Sequence, residues 1–100
     1  MSDTNYFGSV VKILEKPVQT LISDKIVRTD FRVQLVEVRN IQIAHLVLWG
    51  NLARDIVTNY QVNDYIMVEG YLSLPDKMNN KLSKPQLKKA QVTVLKVYSI

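Results

Sequence analysis

The most constraining stretch of this chain is a strict two-residue alternation that opens at Val27. Val27, Phe31, Val33 and Leu35 fall on one parity, and Arg28, Asp30, Arg32 and Gln34 fall on the other. Successive side chains of an extended strand point to opposite faces, so this pattern specifies a strand with one buried and one wet face. Glu37 and Arg39 break the pattern, and Arg39-Asn40 marks a turn.

Other segments repeat the theme. Tyr6 to Glu15 is rich in β-formers and stops near Pro17. Val18 to Ile22 reads as a short strand or an extended loop, and Ser23-Asp24-Lys25 as a turn. Ile41 to Trp49 is a further strand, with Ala44, Leu46 and Leu48 on one parity and His45, Val47 and Trp49 on the other. Asn51 is placed to cap a helix whose stripe is Leu52, Ile56, Val57 and Tyr60. Asn63-Asp64 ends that segment. Tyr65 to Leu74 and Ala90 to Tyr98 complete the strands, and Gly70 inside the former predicts a bulge or sharp bend.

The order is β-β-β-α-β-β within 100 residues, one domain's worth of chain. Residues 1–5 are expected to be flexible. Open sheets of five strands leave edges exposed, and closure removes them. The expectation is an all-β, five-stranded OB-fold barrel with one short helix between the third and fourth long strands. Its interior should include Phe31, Val33, Leu35, Leu46, Leu48, Ile66, Val68 and Leu72.

Composition narrows the function. The chain has no cysteine and a single histidine, so neither disulfides nor a histidine or thiolate metal cluster are expected, and no cofactor is implied. No apolar run approaches the roughly 18 residues of a membrane helix. Met1-Ser2-Asp3-Thr4-Asn5 has the character of neither a signal nor a transit peptide, so the chain is expected to work where it is made or to be a mature form. The carboxylates are scattered, and nucleophile-elbow and phosphate-loop motifs are absent, so no enzyme is expected. The formal charge of +4 favours a polyanionic partner or simply a lysine-rich surface.

Several residues are candidates for nucleic-acid binding. Trp49 falls on the outward parity, where its ring can stack a base or pack in a subunit interface. Arg28, Arg32 and Gln34 share the outward face of their strand, where Asp30 can partly neutralise either arginine. Lys77, Lys81, Lys84, Lys88 and Lys89 lie between the last two strands with a single acid, Asp76. In OB-folds that connection is one of two that close on oligonucleotides; the alternative is a solvated hairpin. Tyr71 and Tyr65, with Met67, face outward and can stack bases or line an interface. Outward apolar residues such as Val36, Val38, Val47 and Met67 predict a covering partner, hence a homo-oligomer.

The segment His45-Leu46-Val47-Leu48-Trp49-Gly50-Asn51-Leu52-Ala53 resembles the aromatic-Gly-polar-Leu-Ala signature of bacterial-type single-stranded-DNA-binding proteins. Tyr60, Asn63-Asp64 and Val68-Glu69-Gly70 follow at that family's spacing, and the likeness runs without gaps from Leu46 to Leu72. It is most similar to the short cyanobacterial and plastid members, also through Lys89-Ala90-Gln91-Val92-Thr93-Val94 and Val97-Tyr98-Ser99. Lysine outnumbers arginine nine to four, a bias that fits an AT-rich plastid genome. The chloroplast stroma is the favoured location, with the cytoplasm of a cyanobacterium or other bacterium as the alternative.

The resemblance implies an OB barrel that binds single-stranded DNA in replication, repair or recombination, as a homotetramer or else a dimer. It maps the family's stacking aromatic onto Trp49. Ile43 and Lys77 stand where the family commonly has further aromatics. The acidic tail through which family members recruit other replication proteins is not expected after Ile100. The alternatives are a dimeric, primosomal-type OB protein acting in replication restart, or an OB domain that binds protein.

Overall fold

The computed structural model describes residues 4–36, 42–73 and 90–100. The elements run β1 (Thr4–Ile13), β2 (Val18–Leu21), β3 (Val27–Leu35), β4 (Gln42–Trp49), α1 (Gly50–Asn59), β5 (Tyr65–Ser73) and β6 (Gln91–Ser99). The spatial order is β1-β5-β6-β4-β3-β2, and β1 also pairs with β3. That last pairing closes the five long strands into the expected barrel. The short β2 adds to the outer edge of β3, from Val18↔Asp30 to Leu21↔Val27.

Among the described residues every pairing is antiparallel except one. β4 and β6 run parallel over His45↔Gln91, Leu46↔Val92 and Val47↔Thr93. The His45 N–H extends this seam by donating to the Ala90 carbonyl at 2.9 Å. Thr4 and Asn5 pair with Ser73 and Leu72 at the start of β1.

The inward parity fills the core. Phe31, Val33, Leu46, Leu48, Ile66 and Val68 are buried, while Leu35 and Leu72 pack partly buried against them. Ala53 and Ile56 of α1 plug one end, with Leu52, Val57 and Tyr60 around them. Thr29 sits on the inward parity of β3 and is fully buried. Its hydroxyl donates to the Ala53 carbonyl at 2.8 Å, so the one polar group there has a partner.

Two glycines shape the backbone of the barrel. At Gly70 the register shifts by one residue against β6, as the sequence predicted. A Cβ there would stand 2.0 Å from the Thr93 carbonyl oxygen, so the strands come too close for a side chain. Gly50, at φ +65°, turns the chain directly from β4 into α1. The helix therefore starts one residue before the expected cap: Trp49 holds the N-cap position, and Asn51 lies within the first turn instead of capping it.

Two further expectations change. Val47 belongs to the outward row but is only 2% exposed, so it needs no covering partner. It is flanked in register by Asp30 of β3 and Thr93 of β6. Val36 is exposed and Met67 half-buried, whereas Val38 and Glu37 lie outside the described residues.

Candidate nucleic-acid interface

The outer faces of β3 and β4 bring four of the ten candidates together, Trp49, Arg28, Arg32 and Gln34. The register sets Arg28 against Trp49, Asp30 against Val47, Arg32 against His45 and Gln34 against Ile43. This is the outward row of the alternation, carried onto one surface by the antiparallel pairing.

Trp49 is 42% exposed, so its ring is open to a ligand. The Arg28 guanidinium lies over it, with its central carbon 5.6 Å from the ring centroid. The attraction is electrostatic, between the cation and the negative face of the ring. Such a contact holds Arg28 beside the only tryptophan in the chain. Arg28 Nε is buried without a hydrogen-bond partner, while Nη2 reaches Asp30 Oδ2 at 3.8 Å.

Asp30 Oδ2 also accepts a hydrogen bond from His45 Nε2 at 2.8 Å. A carboxylate only accepts, so the ring proton belongs on Nε2. A second carboxylate serves Arg32. Glu15 Oε1 accepts from Arg32 Nε at 3.2 Å and Nη2 at 3.1 Å, and Oε2 accepts from the Arg32 backbone N–H at 2.7 Å. The guanidinium holds the Glu15 carboxyl below its ordinary value, against a smaller opposing effect of partial burial.

The arginines of this strip are thus balanced by carboxylates, one of the two alternatives the sequence left open. Asp30 faces Arg28, as the parity allowed, but the partner of Arg32 is Glu15 and not Asp30. Gln34 is half-buried on the same row. Tyr71 does not join this group. It lies on β5 opposite Tyr6 of β1, and the two rings meet edge to face at 5.9 Å. Tyr98 donates from its hydroxyl to Glu69 on the same outer face of β1, β5 and β6. Lys77, Lys81, Lys84, Lys88 and Lys89 lie outside the described residues.

Sequence reasoning missed Glu15, and undervalued Asp30 and His45 as parts of the site. Asp30 carried a signal, since it interrupts a basic row at its own parity. Glu15 carried none, lying 17 residues before Arg32 in the connection from β1 to β2.

No family model matches the chain. A relative from Trieres chinensis, "Putative single-stranded DNA-binding protein ycf41", is 40% identical over 98 residues, covering 94% of this chain and 87% of the relative. The chain belongs to the single-stranded DNA-binding protein family.

Solved members share the fold. The second single-stranded DNA-binding protein of Mycobacterium smegmatis superposes with a TM-score of 0.73 at 24% identity, over 94% of this chain and 86% of that one. The small single-stranded DNA-binding protein of Streptomyces coelicolor gives 0.76 at 13% identity, over 100% and 96%. A single-stranded DNA-binding domain from a Synechococcus species gives 0.69 at 18% identity, over 98% and 96%. Trp49 stands on the exposed outer face of the barrel.

Proposed function

We propose that this chain binds single-stranded DNA without catalysing a reaction, and so protects and organises it during replication, repair or recombination. The observation that carries the reading is Trp49, exposed on the outer barrel face with Arg28 held against its ring. A base stacked on an aromatic ring is worth about 1–3 kcal/mol whatever the base, because every base has a π-face. Arg28, Arg32 and Gln34 flank the ring's strand and suit a sugar–phosphate backbone. The lysines from Lys77 to Lys89 supply the remaining phosphate contacts in this reading.

The working form is a homo-oligomer, a tetramer by family likeness. Tyr6, Tyr65, Tyr71 and Tyr98 are 41–61% exposed on the outer face of β1, β5 and β6. Such a concentration of half-exposed aromatic surface is characteristic of interfaces. Tyr71 supports self-association in this scheme more than base stacking. The chloroplast stroma is the proposed location, on the likeness to plastid and cyanobacterial members. No helix among the described residues is long and apolar enough to cross a membrane.

The test is titration of Trp49 fluorescence with oligo-dT at several salt concentrations. Binding through this face quenches the signal, and the affinity falls linearly on a log–log plot against salt. Binding that leaves the fluorescence unchanged would place the DNA elsewhere. Absence of binding at low salt would favour an OB domain used for protein recognition.

A further inference from the structure

Asp30 is an acid in the middle of a surface proposed to meet a polyanion. One of its two carboxylate oxygens, Oδ2, is hydrogen-bonded to His45 Nε2 at 2.8 Å and forms a looser ion pair with Arg28 Nη2 at 3.8 Å. The Arg28 guanidinium is at the same time set over Trp49, and its Nε has given up water without gaining a partner. The cross-strand neighbour of Asp30 on this row is the buried Val47, an apolar residue between His45 and Trp49 on β4. An oxyanion is therefore already seated on this face, between the imidazole of His45 and the guanidinium that lies over Trp49.

We propose that Asp30 is an internal stand-in for a backbone phosphate, and that it sets the affinity and salt dependence of DNA binding by competing for Arg28 and His45. The inference rests on the single-stranded-DNA reading above. In the free protein the carboxylate keeps both groups turned toward it. When a base stacks on Trp49, the adjoining phosphate must approach the same donors. It can then take them over from Asp30 or share them with it. Either way the carboxylate opposes the phosphate, so this face binds less tightly than its arginines alone would allow. A phosphate is the chemistry the donors fit: an arginine and an imidazole N–H can both donate to its oxygens.

The experiment compares the full-length wild type with Asp30→Asn, Asp30→Ser and Asp30→Glu. Binding of dye-labelled oligo-dT is followed by anisotropy across a salt series, with Trp49 quenching recorded in parallel. Removing a unit charge about 4 Å from a phosphate in a water-like dielectric is worth roughly fivefold in affinity. Asp30→Asn should thus bind roughly three- to tenfold tighter at low salt, with a log–log salt slope steeper by up to about 0.7. Asp30→Ser, which shares the charge change without the amide, should show the same gain and carries the test if Asp30→Asn folds poorly. Asp30→Glu keeps the charge and should keep the wild-type slope.

A dT oligomer with an uncharged methylphosphonate backbone separates competition from a structural effect. On that ligand the gain of Asp30→Asn should vanish, since there is no phosphate charge to compete for. If wild type quenches Trp49 on binding but both neutral variants bind equally or more weakly, Asp30 is only a brace and the proposal is overturned. If wild type itself neither binds dT nor quenches Trp49, the single-stranded-DNA reading fails, and this proposal fails with it.

Discussion

The Thr29 hydroxyl of β3 donates to the Ala53 carbonyl of α1 at 2.8 Å, at a point where both residues are fully buried. It is a polar tie between the barrel wall and the helix that plugs it. Thr29→Val keeps the shape and removes the donor. The variant should lose about 1 kcal/mol of stability in urea unfolding, the net worth of one buried hydrogen bond. An unchanged midpoint would mean that the apolar plug alone holds the helix.

Gly70→Ala should cost more. The added methyl would meet the Thr93 carbonyl oxygen and the backbone beside it, which cannot yield as a flexible side chain can. Strain of this kind typically costs 1–3 kcal/mol, and here it falls where β5 and β6 shift register. Thermal unfolding by circular dichroism should show a clearly lowered midpoint.

Trp49→Ala removes the stacking platform and leaves the phosphate contacts. Its affinity for labelled oligo-dT should fall by about 1–3 kcal/mol with the salt slope unchanged. A slope that flattens in parallel would show that Arg28 depends on the ring for its placement.

The lysine segment predicts the opposite signature. Replacing Lys81, Lys84 and Lys88 by Ala should flatten the slope by up to about 2 units, since each phosphate contact on a single strand contributes about 0.7. A slope left untouched would make that connection a solvated hairpin.

Glu15 predicts a small acid-sensitive contribution to stability. Its folded pKa lies below its ordinary 4.5 because Arg32 donates to the carboxylate. A depressed folded value stabilises the protein above the unfolded pKa. That stability is lost as the pH falls from about the ordinary value through the folded one. Both side chains are well exposed, so screening keeps the contribution under about 1 kcal/mol. Glu15→Gln should be slightly less stable than wild type at pH 7 and low salt. The gap should narrow in high salt and close in strong acid.

The barrel was legible in the chain because its strands carry clean period-two patterns. Phe31, Val33, Leu46, Leu48, Ile66 and Val68 all turn inward as parity demands. The stub Val18–Leu21 was ambiguous because its four residues are all exposed and show no alternation of burial. Val47 misled for a different reason. Parity tells which way a side chain points, not whether its neighbours enclose it. The helix start was misplaced because Asn51 is a good cap by type, whereas the left-handed Gly50 had already made the turn.

The site was legible only in part. Trp49 and Arg28 could be set on one face from parity and strand pairing. The carboxylates that hold the arginines could not, because Glu15 and Arg32 meet through tertiary structure across 17 residues. Net charge counts such pairs without revealing them, which is why a basic chain presents a balanced strip here.

The place of β6 has a consequence for how the molecule is made. It lies between β5 and β4, although it follows both in sequence, and its parallel seam with β4 spans only three residue pairs. A chain synthesised as far as Ser73 can pair β1 with β5 and β3 with β4, but the gap between those two ladders stays open. Closure waits for the final segment to slot between them, so two rows of backbone donors and acceptors stand unpaired until then. Loop entropy must be spent before such distant partners reward it, and folding dominated by them falls in the millisecond-to-second range. During that interval the nascent protein exposes sticky edges, and the barrel closes only when the last strand to be made, β6, takes its place.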